Sequence, residues 1–265
     1  MSDYSKHQGQ KPIVLSLSGH DPTGGAGIQA DAEAIAHHGC HPCSILTCLT
    51  VQDSSTVHRL IPLDANNIVE QANTLFNDMP IAAIKIGLTG SIECIEAIAS
   101  ILQKHPKIPV IFDPVLACGD GTPLANTALI KTIRSKLLPL TTVLTPNTLE
   151  AAKLSASADH TAINALGAAL LGQGTQHVLV TGGHVSGQTI RNHLFQHDAA
   201  PTTFEWPRQQ GEFHGTGCTL AASIAALIAH GASISNAIKQ AQTYTDVCIS
   251  NAQQVGRGQL FPRRL

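Results

Sequence analysis

Short apolar runs alternate with longer amphipathic segments along most of this 265-residue chain. The runs hold the β-branched and apolar residues typical of buried strands, and a stretch with helical periodicity follows each of them. This alternation is typical of a parallel sheet whose strands are joined by helices. The predicted parallel strands lie at residues 13–18, 43–51, 82–87, 109–113, 142–145 and 177–183.

The pattern changes beyond residue 183. Residues 189–196 and 202–206 alternate polar and apolar positions around "HDAAP", which predicts an antiparallel pair at one edge of the sheet. A short edge strand is also predicted at 56–61. The predicted helices include 25–38, a segment capped by Asp64 that runs to about residue 77, and 216–230 and 233–251.

These elements predict a three-layer α/β/α sandwich with a mostly parallel central sheet of seven to nine strands and an antiparallel edge. The length fits a single domain over residues 1–265, in which residues 1–11 form a flexible N-terminal tail.

Composition excludes several classes of protein. The net charge is −2 and lysine and arginine form no cluster, which argues against a nucleic-acid partner. Apolar runs such as 219–229 are too short to span a bilayer, and the polar start does not resemble a signal peptide, so we expect a cytoplasmic protein without a membrane partner. Seven scattered cysteines do not form a disulfide framework.

The loops after the parallel strands carry the unusual residues, and ligands of open α/β sheets bind at those strand ends. "SGHDPTGGAGIQAD" follows the first strand, and its Gly24, Gly25 and Gly27 permit close approach of backbone to a ligand, although a plain glycine turn is an alternative. Gln52 follows the second strand. Its amide can both donate to and accept from a heteroaromatic ring, or it is an ordinary polar loop residue.

A divalent cation site is predicted from two further strand ends. Asp113 ends the "PVIFD" strand, and Asn147 and Glu150 lie three residues apart in "TPNTLE", on one face of the first helical turn. Such oxygens suit a hydrated Mg²⁺. The alternative is that Asn147 caps the helix and Glu150 compensates its dipole.

An anion cradle is predicted at the start of the helix that follows "HGTGC". Helix N-termini present unpaired N–H groups and a partial positive charge, and glycine leaves only backbone to meet the anion. Gly215, Thr216, Gly217 and Cys218 form this turn. The same field favours the thiolate of Cys218, which predicts a base for a substrate hydroxyl or a reactive sulfur. The alternative is a tight turn with an inert cysteine.

Together, an anion cradle, an oxygen-rich cation site and an amide-bearing pocket indicate phosphoryl transfer to a small hydroxyl compound. The sequence contains neither the P-loop pattern GxxxxGK[ST] nor a protein-kinase signature. We therefore expect another class of kinase.

The motifs "GHDPTGGAGIQAD", "VQD", "KIG", "DPV", "TPNTLE", "GGH" and "HGTGCTLAASIAA" occur in the order found in hydroxymethylpyrimidine/phosphomethylpyrimidine kinases of thiamine biosynthesis. The chain resembles this ribokinase-like family from about Pro12 to Asn251. The resemblance implies an ATP- and Mg²⁺-dependent kinase that acts on the hydroxymethylpyrimidine and on its monophosphate. It also implies a homodimer.

The resemblance implies roles for individual residues. The residues implied to bind the pyrimidine are Gly19, Asp31, Gln52 and Leu88. Asn147 and Glu150 match the Mg²⁺ and phosphate motif, with Asp113 as a third metal ligand, and Asn147, Thr181 and Gly183 contact ATP. The turn at Gly215, Thr216 and Gly217 forms the anion hole, with Cys218 beside the hydroxymethyl group.

Three positions depart from the family pattern. Thr181 stands where relatives have lysine before "GGH", residues 118–121 read "CGDG" instead of "AKSG", and Leu88 replaces a methionine. Losing two cations near the phosphates removes transition-state stabilisation. Two alternatives therefore stay open: a pyridoxal kinase of the same fold, and a protein that binds a pyrimidine or pyridoxal phosphate without turnover.

Overall fold

The computed structural model describes residues 11–119, 121–157, 159, 162–183 and 185–265. The strands are β1 Ile13–His20, β2 His41–Gln52, β3 Val57–Pro62, β4 Ile81–Ile86, β5 Val110–Phe112, β6 Val143–Leu144, β7 His177–Val180, β8 Thr189–Gln196 and β9 Thr202–Pro207. The helices are α1 Gly27–His37, α2 Ala65–Asp78, α3 Ile92–Lys104, α4 Thr127–Lys136, α5 Thr148–Ser155, α6 Ile163–Leu171, α7 Thr216–Ala229 and α8 Ile234–Ser250. The predicted tail at 1–11 lies, except for Lys11, outside the described residues.

All nine strands form one sheet in the order β3-β2-β1-β4-β5-β6-β7-β8-β9. The pairings from β2 across to β7 are parallel, whereas β3 pairs antiparallel with β2 and the β8–β9 pair continues antiparallel from β7. The predicted mostly parallel sheet with an antiparallel edge is confirmed, and the edge strand expected at 56–61 is β3.

Helices cover both faces of the sheet, so alternate residues of each parallel strand enter different cores. On β1, Val14 belongs to the core that includes residues of α1, α7 and α8, while Leu15 and Leu17 belong to the core that includes residues of α2 to α6. Both faces of the central strands are therefore apolar, which explains why these strands are nearly continuous hydrophobic runs.

Hydrogen bonds to side chains set the start of α2 and the end of β7. The Asp64 side chain accepts a hydrogen bond from Asn66 N and caps α2, as predicted. β7 ends at Val180 rather than at residue 183, because Gly182 N donates to the Asn192 side chain at 3.0 Å instead of continuing the ladder.

No helix in the described part of the chain is both long and apolar enough to cross a membrane. The loops that follow β1, β2, β5, β6 and β7 meet at one edge of the sheet, and the start of α7 lies among them.

Candidate active site

A cavity of about 570 Å³ lies at the carboxyl ends of the parallel strands. Its size is that of a small-molecule site. Most of the predicted site residues line it: Gly19, Gly27, Gln52, Leu88, Asp113, Asn147, Glu150, Thr181, Gly183, Gly215, Thr216, Gly217 and Cys218, whereas Gly24, Gly25 and Asp31 do not. Residues spread over two hundred positions of sequence thus meet in one place.

Asp31 has a different position from the predicted one. Its carboxylate is fully buried and lies 2.8 Å from Lys85 Nζ, and it accepts hydrogen bonds from Ser16 and Ser18 at 2.6 and 2.7 Å. Within the described chain it does not line the cavity. The prediction that Asp31 contacts the pyrimidine is therefore corrected: it forms a buried ion pair beneath the cavity floor.

Around Gln52, the cavity is lined by polar side chains that hydrogen-bond to one another. Gln52 Oε1 accepts from Thr50 Oγ1 at 2.8 Å, and Gln52 Nε2 lies 3.3 Å from His214 Nε2. His214 Nε2 also lies 2.7 Å from Asp21 Oδ2. Burial acts to raise the pKa of Asp21, but hydrogen bonds from His214 and Thr23 outweigh it and lower the pKa.

Sequence reasoning missed Asp21 and His214 as cavity residues, although both lie inside quoted motifs. Asp21 also accepts from Ala26 N at 2.8 Å, so it shapes the glycine loop before α1. Gly27 in that loop has φ +61°, and a Cβ there would come within 2.4 Å of the Gly19 carbonyl oxygen. Only glycine fits, because both the backbone angle and the space exclude a side chain.

Residues 215–218, the cradle turn, open α7. Gly215 is the N-cap with φ +78° and has no side chain to cap the helix. The first N–H groups of α7 are therefore left for a ligand. A Cβ at Gly217 would lie 3.4 Å from Asp113 Oδ1, so the cradle turn passes close to that carboxylate.

Cys218 is buried in the cradle turn. Burial raises the pKa of its thiol to about 12, with nearby Asp113 and Asp31 adding to the rise and Lys85 opposing it. The predicted thiolate is therefore corrected, because desolvation and two carboxylates outweigh the helix dipole.

Asp113 follows β5 and is 5% exposed. Burial raises the pKa of its carboxyl group, against the opposing charge of Lys85. Its Oδ2 atom is buried without a hydrogen-bond partner among the described residues. A buried carboxylate oxygen in this state has capacity for a ligand or a proton.

Asn147 and Glu150 form a capping box at the start of α5. Asn147 Oδ1 accepts from Glu150 N, and Glu150 Oε2 accepts from Asn147 N, both at 2.9 Å. Glu150 Oε1 accepts from Leu116 N at 3.3 Å. Burial, and secondly Asp113, raise the pKa of Glu150 to about 8. The helix cap, which was the alternative to a metal site for these residues, is thus present in the structure.

The capping hydrogen bonds leave acceptor positions free on the Glu150 carboxylate, because a carboxylate has about four of them. The described residues include no group of three or more His, Cys, Asp or Glu side chains that could alone hold a metal ion. A hydrated Mg²⁺ requires fewer protein ligands. The two buried carboxylates, those of Asp113 and Glu150, therefore fit a cation that retains water.

Thr181 and Gly183 of the β7 loop, residues 181–183 and 185–188, also line the cavity. Thr181 pairs with Asn147 in an isolated parallel bridge, which joins this loop to the α5 cap. His184 of "GGH" lies outside the described residues, as does Asp120 of the departing "CGDG" segment.

Arg208 is a cavity residue that sequence reasoning missed. Its guanidinium donates to the carbonyl oxygens of Gly183 at 2.8 Å and Gly187 at 2.7 Å, and to that of Val185. A cation therefore lies beside the strand end where Thr181 replaces the expected lysine. The sequence signal that could have found Arg208 was its position after β9, six residues before the "HGTGC" motif.

Residues 21–262 match the family model for phosphomethylpyrimidine kinase. The chain belongs to the phosphomethylpyrimidine kinase family. A hydroxymethylpyrimidine/phosphomethylpyrimidine kinase from Salmonella typhimurium is 34% identical to it over 256 residues, which cover 94% of this chain and 96% of the relative.

Solved structures agree with this phosphomethylpyrimidine kinase assignment. A phosphomethylpyrimidine kinase from Clostridium difficile superposes with a TM-score of 0.78 at 28% identity, covering 89% of this chain and 98% of the other. An ADP complex of Bacillus subtilis pyridoxal kinase superposes with a TM-score of 0.88 at 25% identity, covering 96% and 98%. The ribokinase-like fold expected from the motifs is thus confirmed.

Proposed function

We propose that the chain transfers the terminal phosphoryl group of ATP to 4-amino-5-hydroxymethyl-2-methylpyrimidine, and then to the monophosphate that results. The observation that carries the proposal is the contact between the cradle turn and Asp113. An anion-binding turn and a buried carboxylate without a full set of partners face each other across Gly217. Family membership and the sequence relatives supply the substrate class.

In this proposal the backbone N–H groups of the cradle turn bind the oxygens of the migrating phosphoryl group. Preorganised backbone donors stabilise developing charge without reorganisation during the reaction. The acceptor hydroxyl attacks phosphorus, the new O–P bond forms, and the bond between phosphorus and the ADP oxygen breaks. ADP leaves with that electron pair.

The hydroxyl proton goes to Asp113 Oδ2. A thiol with a pKa near 12 is not a base at neutral pH, so Cys218 keeps its proton and contacts the hydroxymethyl group as a donor and packing group. Gln52, Gly19 and Leu88 hold the ring. The hydrogen bond from Thr50 sets the orientation of the Gln52 amide. The Gln52 Nε2 group, beside His214, then faces the ring.

Asp113, Asn147 and Glu150 would hold a hydrated Mg²⁺. When bound, the ion supplies positive charge that neutralises the triphosphate. Thr181, Gly183 and Asn147 contact the nucleotide in this proposal, and Arg208 provides the cation that a lysine supplies in relatives.

The second candidate substrate is pyridoxal, because a pyridoxal kinase superposes with a TM-score of 0.88. Pyridoxal also offers a ring nitrogen and a hydroxymethyl group. A coupled assay of ADP release with ATP and Mg²⁺ tests both, using hydroxymethylpyrimidine, its monophosphate and pyridoxal as acceptors. We expect release with both pyrimidines, less with pyridoxal, and loss of activity with EDTA. Ligand binding without ADP release would favour the binding-protein alternative.

We also propose that the chain acts in the cytoplasm as a homodimer, as the family resemblance implies. The exposed apolar side chains of Leu49 and Val51 on β2 are consistent with a contact surface at this edge of the sheet. Light scattering coupled to gel filtration measures the mass in solution. A 27.8-kDa particle would contradict the dimer.

A further inference from the structure

The C-terminal segment, residues 252–265, returns to the candidate active site. Leu260 pairs in parallel with Phe213, and His214 N donates to Leu260 O at 2.9 Å. The segment therefore flanks the residues that lead into the cradle turn. The Phe261 ring lies 5.6 Å from the His214 ring, measured between centroids.

Arg264 in this segment is buried, with 4% of the residue exposed. Its guanidinium reaches three groups, which lie in the glycine loop, in α1 and in α7. Nη2 donates to Gly25 O at 2.5 Å, Nε to Thr219 Oγ1 at 2.8 Å, and Nη1 to Glu33 Oε2 at 3.2 Å. Gly25 lies in the glycine loop after β1 and Thr219 in the first turn of α7.

These contacts reach the cradle turn itself. Thr219 Oγ1 donates to Gly215 O at 2.8 Å while it accepts from Arg264. A Cβ at Gly215 would lie 2.0 Å from Gly25 O and 2.8 Å from Arg264 Nη2. The glycine loop, the guanidinium and the cradle turn are thus in direct contact, with no room for a side chain at Gly215.

Burying a guanidinium costs desolvation free energy, and its one carboxylate partner, Glu33, has a side chain that is 40% exposed. Stability alone is a weak reason for such an arrangement. The planar fork of arginine can hold three acceptors in fixed directions, which a lysine ammonium cannot do in the same way.

We propose that Arg264 is a positioning residue for phosphoryl transfer: its guanidinium fixes the cradle turn against the glycine loop after β1, so that the first N–H groups of α7 stay aimed at the transferring phosphoryl group. The inference rests on the proposed function for its effect on turnover. A displacement of about 1 Å in such a group costs about 100-fold in rate.

The test compares Arg264→Ala and Arg264→Lys with Arg263→Ala, a matched control, because Arg263 is the preceding residue and is exposed. We expect kcat to fall about 10- to 100-fold in both Arg264 variants, with the KM for hydroxymethylpyrimidine changed much less. Arg263→Ala should match the wild type. Added guanidinium ion at low millimolar concentration should partly restore kcat of Arg264→Ala without raising its Tm.

Hydrogen–deuterium exchange supplies a measurement that does not depend on activity. Peptides covering 211–220 and 21–30 should exchange faster in Arg264→Ala, while peptides from α3 should not. Thr219→Val, which removes only the hydroxyl, should increase exchange in the first peptide and reduce kcat by less.

Unchanged exchange in both peptides would overturn the positioning role, whether or not the chain is a kinase. A loss of kcat that follows only a general loss of stability, with no rescue by guanidinium, would also overturn it. If exchange changes as expected while the wild type releases no ADP, the structural role of Arg264 stands and the proposed function fails.

Discussion

The cradle end of the cavity and its β7 end are held in place by different means. At the cradle end, side chains such as Asp31, Lys85 and Arg264 are almost completely buried and bonded to one another or to backbone. At the β7 end, backbone carbonyl oxygens of exposed residues in the β7 loop accept hydrogen bonds from one partly exposed arginine, Arg208. The comparison indicates a more rigid cradle end and a more solvent-accessible β7 end, which our proposal assigns to the transferred group and to the nucleotide, respectively.

Asp113→Asn tests the chemistry of the cradle end and should have the largest effect. Removing a general base costs about 10²- to 10⁴-fold in turnover, and we expect a loss of kcat in this range with modest changes in KM. Steady-state ADP release measures it.

Cys218→Ala is the matched comparison for that variant. A neutral hydrogen-bonding thiol contributes about 1 kcal/mol, so its loss should reduce kcat by about tenfold or less. A larger loss for Cys218→Ala than for Asp113→Asn would restore the thiol as the base and contradict the role given to Asp113.

Lys85→Met tests whether the cradle end depends on its buried ion pair. The substitution leaves the Asp31 carboxylate charged and uncompensated, and breaking a buried pair costs about 3–5 kcal/mol in the free energy of unfolding. Urea denaturation measures this loss.

The double variant Lys85→Met/Asp31→Asn should recover part of the lost stability, because it removes both charges. Lys104→Met, an exposed lysine in the last turn of α3, is the control and should change stability little. Equal losses in the single and double variants would show that packing, not charge, holds this region.

Arg208→Ala tests the β7 end. Loss of a charged donor near the phosphates should raise the KM for ATP by about 10- to 100-fold, since hydrogen bonds to charged groups contribute about 1.5–3 kcal/mol. The KM for the pyrimidine should hardly change. Arg191→Ala, an exposed arginine of the neighbouring β8 paired with Glu205, is the matched control. Equal effects of the two variants would remove Arg208 from the nucleotide site.

Thr181→Lys should have the smallest effect. Arg208 already places positive charge beside Gly183, so an added exposed cation contributes at most about 1 kcal/mol, or roughly fivefold in the KM for ATP. In the Arg208→Ala background the same substitution should restore more of the lost affinity. A large improvement in the wild-type background would mean that Arg208 does not serve the phosphates.

The sequence predicted most of the fold because each central strand is buried on both faces and each helix is amphipathic. It also predicted which loops meet, because parallel strands end at one edge. It erred where a prediction depended on solvation. Cys218 lies at a helix N-terminus as expected, but the helix dipole is a small effect beside burial and two carboxylates.

Other features required partners distant in sequence. Asp31 would read the same in the sequence whether its side chain faced a ligand or a lysine. Only the tertiary structure, in which β1 pairs with β4, brings Lys85 to it. Arg264 gave no sequence signal, since arginine is usually exposed and the preceding residue, Arg263, has the same residue type but is exposed.

The sequence by itself determined the layered sheet, the loops that form the cavity and the residue types of phosphoryl transfer, because these follow from local periodicity and short motifs. The tertiary structure alone decided which charges are buried, which carboxylate keeps an unpartnered oxygen and which arginines reach the site. Burial and charge pairing depend on every neighbour at once, and no local pattern encodes them.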